Sequence, residues 1–308
     1  MPVDNKLPLI CIIGPTATGK TRLAVAVALA IEGEIISADS RQVYKGMDIG
    51  TGKDLHEYTV GNRCVPVHLV NIVNPGYHYN VFEYQHDFFS AYNKVVESKH
   101  YPILCGGSGM YLDAVLNDYL LLPVPENKTL RESLASFSMS KLSDLLASYK
   151  PLHNVTDIKD RYRLIRAIEI QDFYKNNPVD KKTMPLNPII FYVHFQRDIL
   201  RKRITERLHY RLNNGMIQEV KHLLDKGVPV EDLIYYGLEY KYISLYLTGK
   251  LNYDEMVERL NISIHQFAKR QETWFRRMQR NGWVFHYVDG TLEEKEKLKS
   301  VLDILKMY

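Results

Sequence analysis

The chain is 308 residues long, 45% hydrophobic and 25% charged, with a net charge of +4. That is the make-up of an ordinary globular protein, long enough for a sizeable core in one domain or two, and its mild basic excess permits a nucleic-acid partner without demanding one. Its apolar runs fall short of the roughly 18 residues a membrane span needs, and Cys11, Cys64 and Cys105 show no CxxC spacing, so neither a membrane protein nor a zinc site is expected.

Met1 to Lys6 carries no secretory or transit pattern, and the cytoplasm is the expected location. Leu9 to Ile13 is a short apolar, β-branched run, as a buried parallel strand should be. Gly14-Pro15-Thr16-Ala17-Thr18-Gly19-Lys20-Thr21 follows, and Thr21 to Ala30 is an Ala- and Leu-rich helix. Strand, glycine loop and helix in that order are the context a phosphate loop requires. Its glycines let successive N–H groups point at phosphate oxygens, and the helix N-terminus adds its positive end. Lys20 brings a charge, and the Thr21 hydroxyl stands where such loops ligate magnesium. A polyphosphate ligand is expected; the loop alone leaves open which one, ATP and other nucleotides included.

Glu34 to Ala38 is a second strand, with Asp39-Ser40-Arg41-Gln42-Val43-Tyr44 at its carboxyl end, where open α/β sheets bind ligands. A glycine-rich loop, Gly46 to Lys53, and a short strand at 67–70 follow. Residues 81–98 have helical character with an aromatic side, and Pro102 to Cys105 is a further buried strand turned by Gly106-Gly107-Ser108-Gly109 into another helix. Pro123 to Asn127 is a linker-like break, 128–176 shows helical periodicity, and 178–188 reads as a return linker. Ile189 to Phe195 restores a sheet strand, and everything beyond it looks helical: 198–213, 217–226, 235–247 and 253–280. The fold class is α/β: a phosphate-loop core with a parallel sheet flanked by helices, plus a small all-helical insertion and C-terminal helices. The expected division is 1–122 for the first part of the core, 123–187 for an RNA-binding helical insertion, and 188–308 for the final core strand and C-terminal helices.

Three constellations carry candidate chemistry. Asp39 at a strand end suits a magnesium-organising carboxylate of a nucleotide hydrolase, a general base aimed at a nucleophile, or a turn cap. Arg203, Arg207 and Arg211 neighbour one another beside a stripe of Ile204, Leu208 and Leu212. One of them could reach a leaving phosphate, against the plainer reading of a solvated basic face. In the last long helix, Met256, Leu260, Ile264, Phe267, Gln271, Phe275 and Met278 form a packing stripe. Lys269, Arg270, Arg276, Arg277 and Arg280 fall largely off it, beside Trp274. That suits a nucleic-acid backbone with a stacked base, or any solvated helix face.

The phosphate loop, Asp39 to Thr51, Gly106 to Tyr111, Asp160 to Glu169 and Ala268 to Arg276 together resemble the tRNA dimethylallyltransferase (IPP transferase) family, in the family's order and over nearly the whole chain. The resemblance implies a prenyl transferase that holds dimethylallyl diphosphate rather than ATP in the loop, needs Mg2+, and modifies the exocyclic amine of the adenosine 3′ to the anticodon in tRNA. Residue by residue it implies Asp39 as general base, Thr16 to Thr21 at the diphosphate, and Arg207 as a diphosphate contact, so that Asp39, Lys20, Thr21 and Arg207 carry the catalysis. It implies tRNA contacts at Asp39, Ser40, Arg41, Gln42, Ser108, Tyr162, Arg163 and Arg166, to which the basic helix adds Lys269, Arg270, Trp274 and Arg276. Ser108 stands where the family has Thr, and Tyr236-Gly237-Leu238-Glu239-Tyr240-Lys241 stands where it has Gly-Tyr followed by Lys or Arg. The partners expected are the anticodon stem-loop and dimethylallyl diphosphate, acting on a monomer. A small-molecule kinase using ATP leaves the basic C-terminal third unexplained, and a non-catalytic RNA-binding protein leaves the intact loop and Asp39 unexplained.

Overall fold

The computed structural model describes residues 7–149, 160–178 and 186–308. The strands are β1 (Leu9–Ile13), β2 (Gly33–Ala38), the two-residue β3 (Thr59–Val60), β4 (Arg63–Cys64) and β5 (Val67–His68), then β6 (Tyr101–Gly106), β7 (Pro188–His194) and β8 (Phe285–Asp289). The helices are α1 (Lys20–Ile31), α2 (Val81–Glu97), α3 (Gly109–Leu116), α4 (Lys128–Leu134), α5 (Met139–Tyr149), α6 (Arg161–Asn176), α7 (Arg197–Asn213), α8 (Met216–Asp225), α9 (Val230–Tyr236), α10 (Leu238–Leu247), α11 (Tyr253–Arg280) and α12 (Glu294–Leu305). None of the described helices is long and apolar enough to cross a membrane.

Two compact units form, one of Met1–Tyr119 with Pro185–Tyr308, the other Leu120–Met184. In the larger unit six strands pair in the order β5-β2-β6-β1-β7-β8, and each neighbouring pair is parallel. Ile12 of β1 lies between Cys105 of β6 and Phe191 of β7. Every residue of β1 is fully buried, which is why the strand is apolar throughout rather than alternating. α1 packs on one face of the sheet with Leu23, Ala24, Val27 and Ala28, whose spacing of one, three and four puts them on one side of a helix. It ends at Glu32, which turns left-handed (φ 56°) and returns its backbone N–H to the Ala28 carbonyl.

The smaller unit has its own core. Leu134, Leu142, Leu146, Leu164 and Ile168 of α4, α5 and α6 bury together. Under them Glu169, only 1% exposed at its side chain, takes Arg131 in a two-point pair at 2.7 and 2.8 Å and Arg166 at 3.0 Å. Residues 179–185 of the expected return linker and 150–159 of the helical run at 128–176 lie outside the described residues, and Pro188, the last residue expected in the linker, opens β7.

Two expectations need correction. The sheet does not end with the strand at 188–194: β8 adds a sixth strand beyond α11, pairing Ile190 with Phe285 and Val193 with Val288. Being at the edge it needs few apolar residues, and only Phe285 and Val288 are buried, so it lacks the apolar run that marks the central strands. The run at 235–247 is not one helix, because Gly237 (φ 152°) breaks it between α9 and α10.

Candidate active site

The carboxyl ends of β1, β2 and β6, adjacent in the sheet, carry the loops that the sequence singled out. After β1 the chain turns through the phosphate loop with Ala17 (φ 63°) and Gly19 (φ 78°) left-handed. Gly14 leaves no room for a side chain, since a Cβ there would stand 2.7 Å from the Val193 carbonyl oxygen. Thr18 Oγ1 donates to the Pro15 carbonyl at 2.9 Å, and Lys20 Nζ to the same oxygen at 3.2 Å. Burial pushes the Lys20 ammonium below its ordinary value, opposed by Cys105 and Asp39.

After β2, Asp39 Oδ1 accepts the Arg41 backbone N–H at 2.9 Å. The Ser40 backbone N–H donates to Ser108 Oγ at 3.0 Å, which links the β2 loop to the β6 loop. Gln42 receives Ser37 Oγ at 3.2 Å and donates to the Gly52 carbonyl at 3.2 Å. So the hydroxyl of Ser108 and the amide of Gln42 hold the Asp39 segment from two sides.

Gln271 of α11 completes the floor. Its Oε1 accepts the Thr16 backbone N–H at 2.9 Å and its Nε2 donates to the Gly107 carbonyl at 2.9 Å. One side chain thereby ties the phosphate loop to the β6 loop. The sequence reading counted Gln271 only as a member of the packing stripe. The available signal was an amide on an apolar face, which once buried must find hydrogen-bond partners.

Arg203, Arg207 and Arg211 of α7 reach the phosphate loop or Asp54. Arg203 Nε donates to the Ala17 carbonyl at 3.0 Å, while Arg207 lies 3.5 Å from Thr16 Oγ1 and 3.2 Å from Asp54 Oδ2. Arg211 donates to the same Asp54 oxygen at 2.9 Å. Burial and the neighbouring Arg211 push the Arg207 guanidinium down to about 10, with Asp54 opposing. Arg207 and Arg211 are partly buried rather than part of a solvated face, and with the exposed Arg203 they line one wall of a cleft of about 1600 Å³ shared with the phosphate loop, Thr21, Asp39 to Gln42 and Ser108.

The remaining expected residues scatter. Arg270 lines the cleft, and Lys269 and Arg276 are exposed along α11. Trp274 packs its ring against Gly109, with the Arg277 guanidinium 4.1 Å from its centroid. Arg277 is itself paired with the buried Asp113 at 2.6 Å. In the helical unit Tyr162 is 63% exposed and Arg163 is exposed, whereas Arg166 is spent on Glu169 and the carbonyls of Val124 and Pro125.

The profile of the family described as IPP transferase matches residues 42–278. The chain belongs to the IPP transferase family. It is therefore a transferase. Among IPP transferase relatives it is 52% identical to tRNA dimethylallyltransferase 2 of Bacteroides fragilis, over 97% of this chain and 98% of that one. It is 54% identical to tRNA dimethylallyltransferase 2 of Porphyromonas gingivalis, over 96% and 98%. The crystal structure of the full-length tRNA isopentenylpyrophosphate transferase of Bacillus halodurans superposes with a TM-score of 0.70 at 29% identity, covering 98% of this chain and 96% of that one. A eukaryotic dimethylallyltransferase acting on tRNA, at 24% identity and a TM-score of 0.77, shares the fold over 92% of this chain and 74% of its own.

Proposed function

We propose that this chain moves the dimethylallyl group of dimethylallyl diphosphate to the exocyclic amine of the adenosine 3′ to the anticodon in tRNA, releasing diphosphate. The reading rests on family membership and on one observation: phosphate loop, Asp39 and Arg207 line a single cleft. A kinase reading would use the loop, but it has no need of the exposed basic row on α11.

The chemistry follows from the groups present. An adenine amine is a weak nucleophile because its lone pair is shared with the ring, so the leaving group must be stabilised and the amine proton removed. As the carbon–oxygen bond to diphosphate breaks, its electrons go to the departing oxygen, where Lys20, Arg207 and the loop N–H groups meet the charge. The nitrogen–carbon bond forms, and Asp39 takes the proton. The adenosine has to leave its stack to reach the strand ends, and Ser40, Arg41, Gln42 and Ser108 stand around that point. Exposed Tyr162, Arg163, Lys269, Arg270 and Arg276 are assigned to the RNA.

The donor set fits magnesium. No group of three or more His, Cys, Asp or Glu able to hold a metal occurs among the described residues. The Thr21 hydroxyl offers one hard oxygen, and diphosphate oxygens and water would supply the rest, as is usual for this ion. Bound there, it would neutralise diphosphate charge.

The deciding experiment is nucleoside mass spectrometry of tRNA incubated with the protein, dimethylallyl diphosphate and magnesium. A dimethylallyl adduct on the adenosine 3′ to the anticodon is expected. Turnover of ATP with no adduct would replace this reading by phosphoryl transfer.

A further inference from the structure

Asp54 and Arg211 are unexplained by the reading so far. Asp54 Oδ2 receives one N–H from Arg207 at 3.2 Å and one from Arg211 at 2.9 Å. Two guanidiniums, four residues apart on α7, are thus gathered on a single carboxylate oxygen inside the cleft. Arg211 is the more buried of the two, 11% exposed at its side chain against 32% for Arg207. The fit is tight: a Cβ on Gly52 (φ +68°) would stand 2.5 Å from both Arg207 Nη2 and Arg211 Nη2. Asp54 itself is left-handed (φ 44°), an uncommon state for a residue with a side chain.

A simple staple between this loop and α7 does not account for the arrangement, because the loop is already held. Glu219 accepts the backbone N–H groups of Asp48, Ile49 and Gly50 at 2.8, 2.7 and 3.0 Å. The buried Lys53 ammonium donates to Asp48 Oδ1 at 2.7 Å, to Asn71 Oδ1 and to the Tyr44 carbonyl. These anchors do not involve Asp54. Its own partners are the Arg207 and Arg211 guanidiniums, in a cleft that Lys20 and Arg203 also line.

We propose that Arg211 is a second diphosphate-binding arginine beside Arg207, and that Asp54 competes with the diphosphate for this pair and so lowers its affinity for the released product. The inference rests on the reading of the cleft as a diphosphate site. A guanidinium has five N–H donors in a planar fork, so each arginine keeps donors for phosphate oxygens while one serves Asp54. Binding sets the carboxylate and the diphosphate against each other for the same charge. A product of several negative charges would otherwise be held too firmly by four cations.

The test is calorimetric titration of the tRNA-free full chain with inorganic diphosphate. Arg211→Gln is expected to weaken binding by at least about tenfold, the scale of losing a charged hydrogen bond. Arg211→Lys, which keeps the charge without the fork, should fall between. Asp54→Asn is expected to bind about three- to tenfold tighter, the scale of one or two partly exposed ion pairs. Thermal unfolding of each variant controls for folding, and Asp54→Ser stands in if Asp54→Asn does not fold. Lys20→Ala separates the two levels of inference. If it weakens binding while Arg211→Gln matches wild type, or while the Asp54 variants bind no tighter than wild type, the proposal falls and the diphosphate site stands. If wild type itself does not bind diphosphate, both fall.

Discussion

Asp39 sits at the end of a fully parallel strand, one carboxylate oxygen on the Arg41 backbone N–H and the side chain in the cleft beside Lys20. In the proposed role of general base it could not be replaced by an amide of the same size. Asp39→Asn should lower single-turnover prenyl transfer by about 10²–10⁴-fold, the usual contribution of a positioned base, with diphosphate affinity intact and no rescue by added magnesium. Rescue by magnesium, or a loss confined to affinity, would instead make Asp39 an organiser of the metal. At this scale the sequence was informative about residue type and poor about partners. It showed the arginine triplet of α7 but not which way the triplet faced, since helical spacing places side chains relative to one another and not relative to the sheet.

Among the elements, α11 does two jobs with two faces. Asn252 and Glu255 form a reciprocal cap at its start, and Met256, Leu260, Ile264, Ala268, Phe275 and Met278 are buried along it. Phe267, expected on that stripe, is 38% exposed and lines the cleft, while Ala268 takes the buried place. A one-residue difference of this kind is invisible to periodicity, because neighbouring positions are only about 100° apart around a helix. If Lys269, Arg270 and Arg276 each meet an RNA phosphate, neutralising any one should flatten the salt dependence of tRNA binding by about one unit of slope. Arg277, tied to Asp113, should leave that slope unchanged when replaced by Gln. Filter binding across a salt series distinguishes them; an unchanged slope for all of the first three would return α11 to an ordinary solvated face.

Across the whole molecule the two compact units differ in what holds them. Glu169 lies at the heart of the smaller one. Burial alone would raise its carboxyl, but Arg131, the Asn127 backbone N–H and Arg166 together draw it down to about 2. A folded value below the unfolded one of about 4.3 gives stability that is complete above that unfolded value and is lost as pH falls toward the folded one, roughly 3 kcal/mol in all. Glu169→Gln should therefore destabilise the 120–184 unit by about that much at neutral pH, and the gap from wild type should shrink at pH 3. Hydrogen exchange of peptides from 128–149 and 161–176 in the full chain, at graded urea, measures it. An equal gap at both pH values would remove the ion pair from the account.

Local signals were enough for the phosphate loop, the order of the central strands' apolar runs, the helical insertion and the start and end of α11. These depend on runs, caps and glycine positions a few residues apart, and short-range chemistry is written contiguously. The edge strand β8, the amide bridge of Gln271 and the gathering of Arg207 and Arg211 on Asp54 were decided only on folding. Each depends on partners distant in the chain, up to 255 residues in the case of Gln271 and Thr16. A side chain's neighbours across such separations are set by how strands and helices pack, and no local pattern records that.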